Sequence, residues 1–210
     1  MAIEFPHCSC VGFDCADVFP MYSKPDNVDF KLGNLLDGLP FEDETFDVVN
    51  MRCVLCVKGG ERGMTTALRK SEWPRVMAEL YRVTKKGGLV QLTEFDMEFV
   101  SKDEVAKAFL ERISLTLAGR GQDPTIATRL HRVIRSAGYI CIARERWNGS
   151  LGDLMLESSR QAFIGSAPHF ATVFALSCED YILQLDDISE RLKESKSYLN
   201  WYTALGRKDA

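Results

Sequence analysis

Apolar residues in the first part of the chain come in short blocks. Cys10 to Phe13 is one block, and Val28-Asp29-Phe30-Lys31-Leu32 alternates apolar and polar positions, so each predicts a strand. Phe46 to Met51 is an apolar run after an acidic turn, the pattern of a strand covered on both faces. The period then changes. Val76, Met77, Leu80, Tyr81 and Val83 form one stripe, Pro74 suits a first helical turn, and Lys85-Lys86-Gly87-Gly88 is a stop, which predicts a helix from Pro74 to Lys86. Leu89 to Thr93 is again a buried strand. Strands and helices that alternate with short links predict an α/β fold with a mostly parallel sheet, helices on both faces and, at the end of the chain, a further strand from Tyr198 to Leu205.

The intervening stretch is mainly helical. Ser101 and Glu104 have capping-box spacing, with Val105, Phe109, Ile113 and Leu117 on one face behind them. Gly119 to Gly121 breaks that helix. Asp123-Pro124 opens another, with Ile126, Leu130, Val133 and Ile134 inward and Gly138 as its stop. Tyr139 to Arg144 reads as a strand, residues 151–175 as helical, and Ser177 as the cap of a helix reaching about Lys196. Neither a repeat, a low-complexity tract nor a linker interrupts the pattern, so one domain over residues 1–210 is expected.

A net charge of −4 argues against broad binding to a phosphate backbone and leaves room only for a local basic patch; no nucleic-acid partner is expected. The longest apolar stretch, Val48 to Val57, is short and contains Arg52, and the first ten residues lack a basic start and a long apolar run. No membrane association and a cytoplasmic, or nuclear, location are therefore expected. The seven cysteines are odd in number and irregular in spacing, as reduced thiols are. Cys53-Val-Leu-Cys56 has redox or zinc spacing but follows an apolar run and lacks a matched second pair, so buried, inert thiols and no metal site are expected.

Candidate chemistry begins with Asp14, which ends the first strand. Doubly wound nucleotide-binding sheets place a carboxylate there for a ribose. Three stretches carry the pattern: Gly12-Phe13-Asp14, then Leu39-Pro40-Phe41-Glu42-Asp43-Glu44-Thr45-Phe46-Asp47-Val48-Val49, then Arg82-Val83-Thr84-Lys85-Lys86-Gly87-Gly88. With Glu94 after the next strand, Ala137-Gly138-Tyr139, Gly149-x-x-Gly152 and Ser197-Tyr198-x-x-Trp201, this ordered set resembles class I S-adenosylmethionine-dependent methyltransferases, most closely the fungal methyltransferase-domain group. The resemblance runs over essentially the whole chain. It implies a Rossmann-like sheet, mostly parallel with an antiparallel C-terminal strand and with helices on both faces, S-adenosyl-L-methionine as cofactor, and helical segments near residues 97–135 and 145–178 as a cover over a small-molecule or protein acceptor.

The resemblance also implies roles. Asp14 would accept from the ribose hydroxyls, since an ionised carboxylate offers acceptors only. Asn34 and Leu35 fall where the family meets the adenine, with Asp37 as a rival. Asn50 and Arg52 would face the crevice at the strand ends, where the planar fork of Arg52 suits a carboxylate or another anion. Glu94 and Asp96 are candidate catalytic residues on the acceptor side, one of them serving as general base if the nucleophile needs deprotonation. Asp47 is either a cofactor ligand or a carboxylate pinning the entry of its strand. His131 reads as structural, and His7 and His169 stand in no pattern.

Two departures accompany these motifs. Lys86 replaces the family's usual proline. Ala2-Ile3-Glu4-Phe5-Pro6 matches the far end of the family's first helix, so the first strand, its Gly-x-Gly-x-Gly turn and most of that helix are not among these residues. The expectation is an N-terminally truncated form with weak cofactor binding and self-association through an open sheet edge. The alternatives are a non-catalytic methyltransferase fold acting as a binding partner and, from a third class, a Cys-x-x-Cys oxidoreductase.

Overall fold

The computed structural model describes residues 2–17, 19–20, 22–52, 68–150 and 153–210. The chain divides into two compact units, Met1–Glu42 and Asp43–Ala210.

The N-terminal unit is built on two parallel strands, β1 (Cys10–Asp14) and β2 (Val28–Leu32), in register from Cys10 opposite Val28 to Asp14 opposite Leu32. The ring of Phe30 lies against Gly12 so closely that a Cβ there would come within 2.6 Å of it, and Phe30 stacks on Phe19 at 4.7 Å. The side-chain amide of Asn27 reaches the carbonyls of Ala2, Phe5 and Cys8 at 2.8–3.2 Å and ties the first residues to the start of β2.

The C-terminal unit holds a four-stranded sheet of β3 (Phe46–Arg52), β4 (Thr84–Phe95), β5 (Ile140–Ser150) and β6 (Tyr198–Arg207) in the order β3-β4-β6-β5. Strand β3 runs parallel to β4, and β6 runs antiparallel to both β4 and β5. Three strands therefore point one way and the C-terminal strand opposes them, as expected. Among the described residues six helices accompany the sheet: α1 (Trp73–Val83), α2 (Glu104–Gly119), α3 (Leu130–Ser136), α4 (Asp153–Ile164), α5 (Ala167–Phe174) and α6 (Cys178–Glu194).

Helices α1 and α3 pack on one face of the sheet. Val76, Met77, Leu80 and Val83 of α1 and Ile134 of α3 are buried there with Val90 and Leu92 of β4. Removing such side chains from water contributes roughly 1.5–3 kcal/mol each. Helices α2, α4 and α5 pack on α6. Phe109, Phe170 and Phe174 surround Tyr181 with ring centroids 5.7–6.1 Å from it.

Several boundaries differ from the sequence pattern for local reasons. Helix α1 stops at Val83, three residues early, because the Thr84 hydroxyl donates to Leu80 O at 2.6 Å and the backbone turns extended. Strand β4 accordingly begins at Thr84 rather than Leu89. The cap of α2 is Asp103, whose carboxylate accepts from Ala106 N–H at 2.8 Å; Ser101 Oγ instead receives Asp103 N–H. Ile126–Arg129 forms a 3-10 turn ahead of α3, and residues 151–175 hold two helices, parted at Gly165–Ser166. Strand β3 is an outer strand, with Val48 47% exposed, rather than one covered on both faces. Strand β5 extends to Ser150, beyond Arg144, and β6 to Arg207.

Candidate functional site

In the N-terminal unit, the ends of β1 and β2 bring Asp14, Asn34 and Leu35 together. Gly33 N–H donates to Asp14 O at 2.9 Å, and the Asp14 carboxylate accepts from Ala16 N–H at 3.0 Å. The chain then enters a short 3-10 turn, Leu35–Asp37, capped by Asn34, whose Oδ1 accepts from Leu36 N–H at 3.0 Å. Capping engages the amide oxygen, so the NH2 of this exposed side chain is the group it presents to a ligand. Leu35 is half-buried and Asp37 exposed on the same turn.

In the C-terminal unit, Asn50 and Arg52 end β3, both exposed and two residues apart, hence on one face. They pair with Gln91 and Thr93 of β4. Arg52 makes no ion pair among the described residues. Asp47 sits at the other end of the same strand, where a 2.8 Å hydrogen bond from Lys85 holds its carboxyl below the usual range.

Glu94 and Asp96 are buried at 1% and 4% exposure. Strand alternation puts Glu94 on the face opposite Thr93, so Glu94 and Arg52 project from opposite sides of the sheet. Asp96 follows β4; its N–H donates to Asn200 O at 2.9 Å and its Oδ1 accepts from Glu98 N–H at 3.2 Å. Burial pushes its carboxyl up, against the opposing effect of the Glu98 amide. Arg146 supports this corner by donating from Nε and Nη2 to Asn200 Oδ1 at 3.3 and 3.0 Å. Asp123 pairs with Arg129 beside it, and Met97 N–H donates to Pro124 O at 3.2 Å.

Sequence reasoning missed Asn200, Arg146, Asp123 and Arg129. They lie far from Asp96 in the chain: the pairing of β4 with β6 and β6 with β5 brings in Asn200 and Arg146, and the segment around the 3-10 turn ahead of α3, packed on β4 and β6, brings in Asp123 and Arg129.

Other candidates separate out. His131 is half-buried on α3, where burial and then the charges of Arg144, Arg132 and Arg135 lower its pKa. His169 packs against Phe170, and burial lowers it too. A groove lined by Asp43, Glu44, Tyr81, Arg82 and Lys208 lies at the N-terminal ends of β3 and β4, away from their carboxyl ends. Its charges are satisfied internally: Arg82 by Glu79 and Asp43, and Lys208 by the carbonyls of Tyr81 and Thr84.

Among the described residues five cysteines are free and no His/Cys/Asp/Glu group could hold a metal; Cys53 and Cys56 lie outside those residues. No helix among them is long and apolar enough to cross a membrane.

Within each unit, then, Asp14, Asn34 and Leu35, and Asn50, Arg52, Glu94 and Asp96, lie at the carboxyl ends of parallel strands, where open α/β sheets bind ligands, whereas Asp47, His131 and His169 do not. A methyltransferase-domain family model matches residues 22–138, more than half of the chain. The chain belongs to the methyltransferase-domain family. No curated protein matches it in sequence. Solved structures match this methyltransferase domain in fold. Phosphoethanolamine N-methyltransferase 2 of Haemonchus contortus, solved with S-adenosyl-L-methionine, is 16% identical with a TM-score of 0.55 over 100% of this chain and 45% of that one. The YcgJ protein of Bacillus subtilis is 18% identical, with a TM-score of 0.54 over 100% of this chain and 87% of that one. The [4+2]-cyclase SpnF is 15% identical, with a TM-score of 0.52 over 100% of this chain and 70% of that one. This domain therefore spans under half of the Haemonchus enzyme's length, and the shared fold is the Rossmann-like sheet of class I S-adenosylmethionine-dependent methyltransferases.

Proposed function

We propose that the chain transfers a methyl group from S-adenosyl-L-methionine to the nucleophile of a small-molecule or protein acceptor. The observation that carries this reading is placement within each unit: Asp14, Asn34 and Leu35 follow the carboxyl ends of β1 and β2, and Asn50, Arg52, Glu94 and Asp96 stand at those of β3 and β4. The donor set suits the cofactor. Asp14 supplies acceptors for a ribose diol, and Asn34 with Leu35 offers a hydrogen-bonding amide beside an aliphatic side chain for an adenine edge and face. Arg52, unpaired among the described residues, with Asn50 beside it, suits the methionine carboxylate.

When bound, the sulfonium donor supplies an activated methyl group: its S–CH3 bond breaks as the acceptor–CH3 bond forms, leaving S-adenosylhomocysteine and a proton. The protein's task is alignment and proton removal, and alignment of this kind is worth roughly 7–11 kcal/mol. Asp96 is the better candidate for the proton. Its raised carboxyl is a stronger base than an exposed aspartate, whereas Glu94 is wholly buried and already engaged.

Calorimetric titration of the 210-residue chain with S-adenosyl-L-methionine is the first test. Binding that weakens in Asp14→Ala and Arg52→Ala supports the reading; absence of binding, with no methyl incorporation across acceptor classes, overturns it. For an active acceptor, Asp96→Asn should lower kcat and remove the acidic limb of its pH profile. An unchanged profile would take the base role from Asp96. A non-catalytic binding role is the second reading, favoured by the exposure of strand β5.

A further inference from the structure

Strand β5 is an edge strand: in the order β3-β4-β6-β5 only β6, among the described residues, is bonded to it. Ile140 and every residue from Ile142 to Asn148 are exposed, so the strand is open on its faces as well as along its outer edge. Ile140, Ile142 and Trp147 remain 43–47% exposed, a concentration of apolar surface on an unpaired strand.

Charge distinguishes this edge from an ordinary one. Arg144 and Arg146 pair with Ala204 and Tyr202 of β6 and so share one face, while Glu145 points to the other. Helix α3, which carries the exposed Arg132 and Arg135, packs on β5 and β6 on the face that Arg144 shares, and the charges of Arg144, Arg132 and Arg135 all act on His131. The arginine ion pairs elsewhere in this unit involve Arg82, Arg129, Arg160 and Arg191. Arg132, Arg135 and Arg144 form none among the described residues. A chain of net charge −4 thus gathers uncompensated arginines beside an open strand.

We propose that β5 is the docking edge for an extended acidic segment of a partner protein, which adds to the sheet as a further strand. The free backbone groups of β5 would take main-chain hydrogen bonds, which neither a nucleic acid nor a lipid surface supplies in register. Arg144 and Arg146 stand about 7 Å apart along the strand, the spacing of carboxylates at alternate residues of an added strand. Arg132 and Arg135 on α3 extend the positive field, and Ile140 and Ile142 offer apolar contact at the N-terminal end. A second copy of this chain fits poorly, because antiparallel self-pairing about Glu145 sets Arg144 against the other copy's Arg146, like charge on like.

The test uses the full chain and a fluorescein-labelled peptide of alternating Glu and Val, followed by fluorescence anisotropy. Comparators are the same peptide with two central valines replaced by proline, the same peptide with Lys for Glu, polyadenylate RNA, and phosphatidylserine vesicles. The alternating acidic peptide should bind at least about tenfold more tightly than the proline and lysine versions, and Arg144→Glu and Arg132→Glu should each weaken it by about tenfold. Arg144→Gln covers the case in which charge reversal disturbs folding, as judged by circular dichroism. Equal binding of the proline peptide would show that charge alone acts and no strand is added. Tighter binding of RNA or vesicles, indifference to both arginine variants, or a concentration-dependent dimer abolished by Arg144→Glu would each overturn the proposal.

Discussion

The two units of this chain carry similar strand chemistry in different surroundings. In Met1–Glu42 no described residue is buried, and the parallel pair β1–β2 is held by half-exposed phenyl rings over glycines. In Asp43–Ala210, β4 is paired on both sides, and Val90 and Leu92 are completely covered by α1 and α3. A two-stranded sheet is marginal in water, whereas a sheet with helices packed on it is not. The candidate ribose and adenine residues stand on the first kind of scaffold and the candidate acceptor-side residues on the second. Local stability should differ sharply between them, as it commonly does between ligand-binding elements and cores.

The largest expected effect separates the units directly. All three tryptophans, Trp73, Trp147 and Trp201, belong to Asp43–Ala210, so tryptophan fluorescence reports that unit's unfolding. Leu92→Ala should lower its stability by about 2–5 kcal/mol, the range for a fully buried leucine. Phe30→Ala, in the half-exposed ring pair, should leave the same urea midpoint within about 0.5 kcal/mol. A comparable loss in both variants would mean that the units unfold as one.

A second comparison uses two glycines with the same crowding. A Cβ on Gly12 would meet Phe30 Cδ1 at 2.6 Å, and a Cβ on Gly206 would meet Ile134 Cγ2 at 2.6 Å, with Tyr139 Cβ and Val90 Cγ1 at 3.0 and 3.1 Å. At Gly12 the obstacle is a ring that can swing toward solvent. At Gly206 it is three side chains locked between sheet and helix, so Gly206→Ala should cost about 1–3 kcal/mol by overpacking. Gly12→Ala should leave the tryptophan-reported transition in place and alter only the N-terminal unit's exchange behaviour. A silent Gly206→Ala would show that α3 is free to shift off the sheet.

The same contrast explains what was legible in the sequence. Alternation and apolar runs located all six strands and most helices, because burial of one face imposes a period on any chain. Boundaries slipped where a single polar group decides them: the Thr84 hydroxyl ends α1, and Asp103 rather than Ser101 caps α2. The full length of β5 was hidden because a mostly exposed edge strand, Ile142 to Asn148, carries no apolar pattern. The strand-end positions of Asp14, Asn34, Asn50, Arg52, Glu94 and Asp96 were readable, since each follows directly from where an apolar run stops. Their surroundings were not: that the Asn34 oxygen is spent on its own turn, that Glu94 and Arg52 project from opposite faces, and that Asn200 and Arg146 brace Asp96 follow from pairing between distant strands.

The smallest effect concerns two tyrosines in one unit, and its sign matters more than its size. Tyr139 and Tyr181 are both buried, and burial raises both phenols, that of Tyr139 to about 12. The Tyr139 hydroxyl meets Thr84 Oγ1 at 2.8 Å, and since Thr84 donates onward to Leu80 O, Tyr139 is the donor. Tyr181 OH lies fully buried among Phe109, Phe170 and Phe174 with no hydrogen-bond partner among the described residues. An unmade buried hydrogen bond leaves a desolvation cost with nothing to offset it, whereas a made one contributes about 0.5–1.5 kcal/mol. Tyr139→Phe should therefore destabilise by about 1 kcal/mol, while Tyr181→Phe should be neutral or raise stability by up to about 1 kcal/mol. Measured together by urea unfolding, a loss at Tyr181 as large as that at Tyr139 would reveal a partner for this hydroxyl, such as an ordered water within the helical layer.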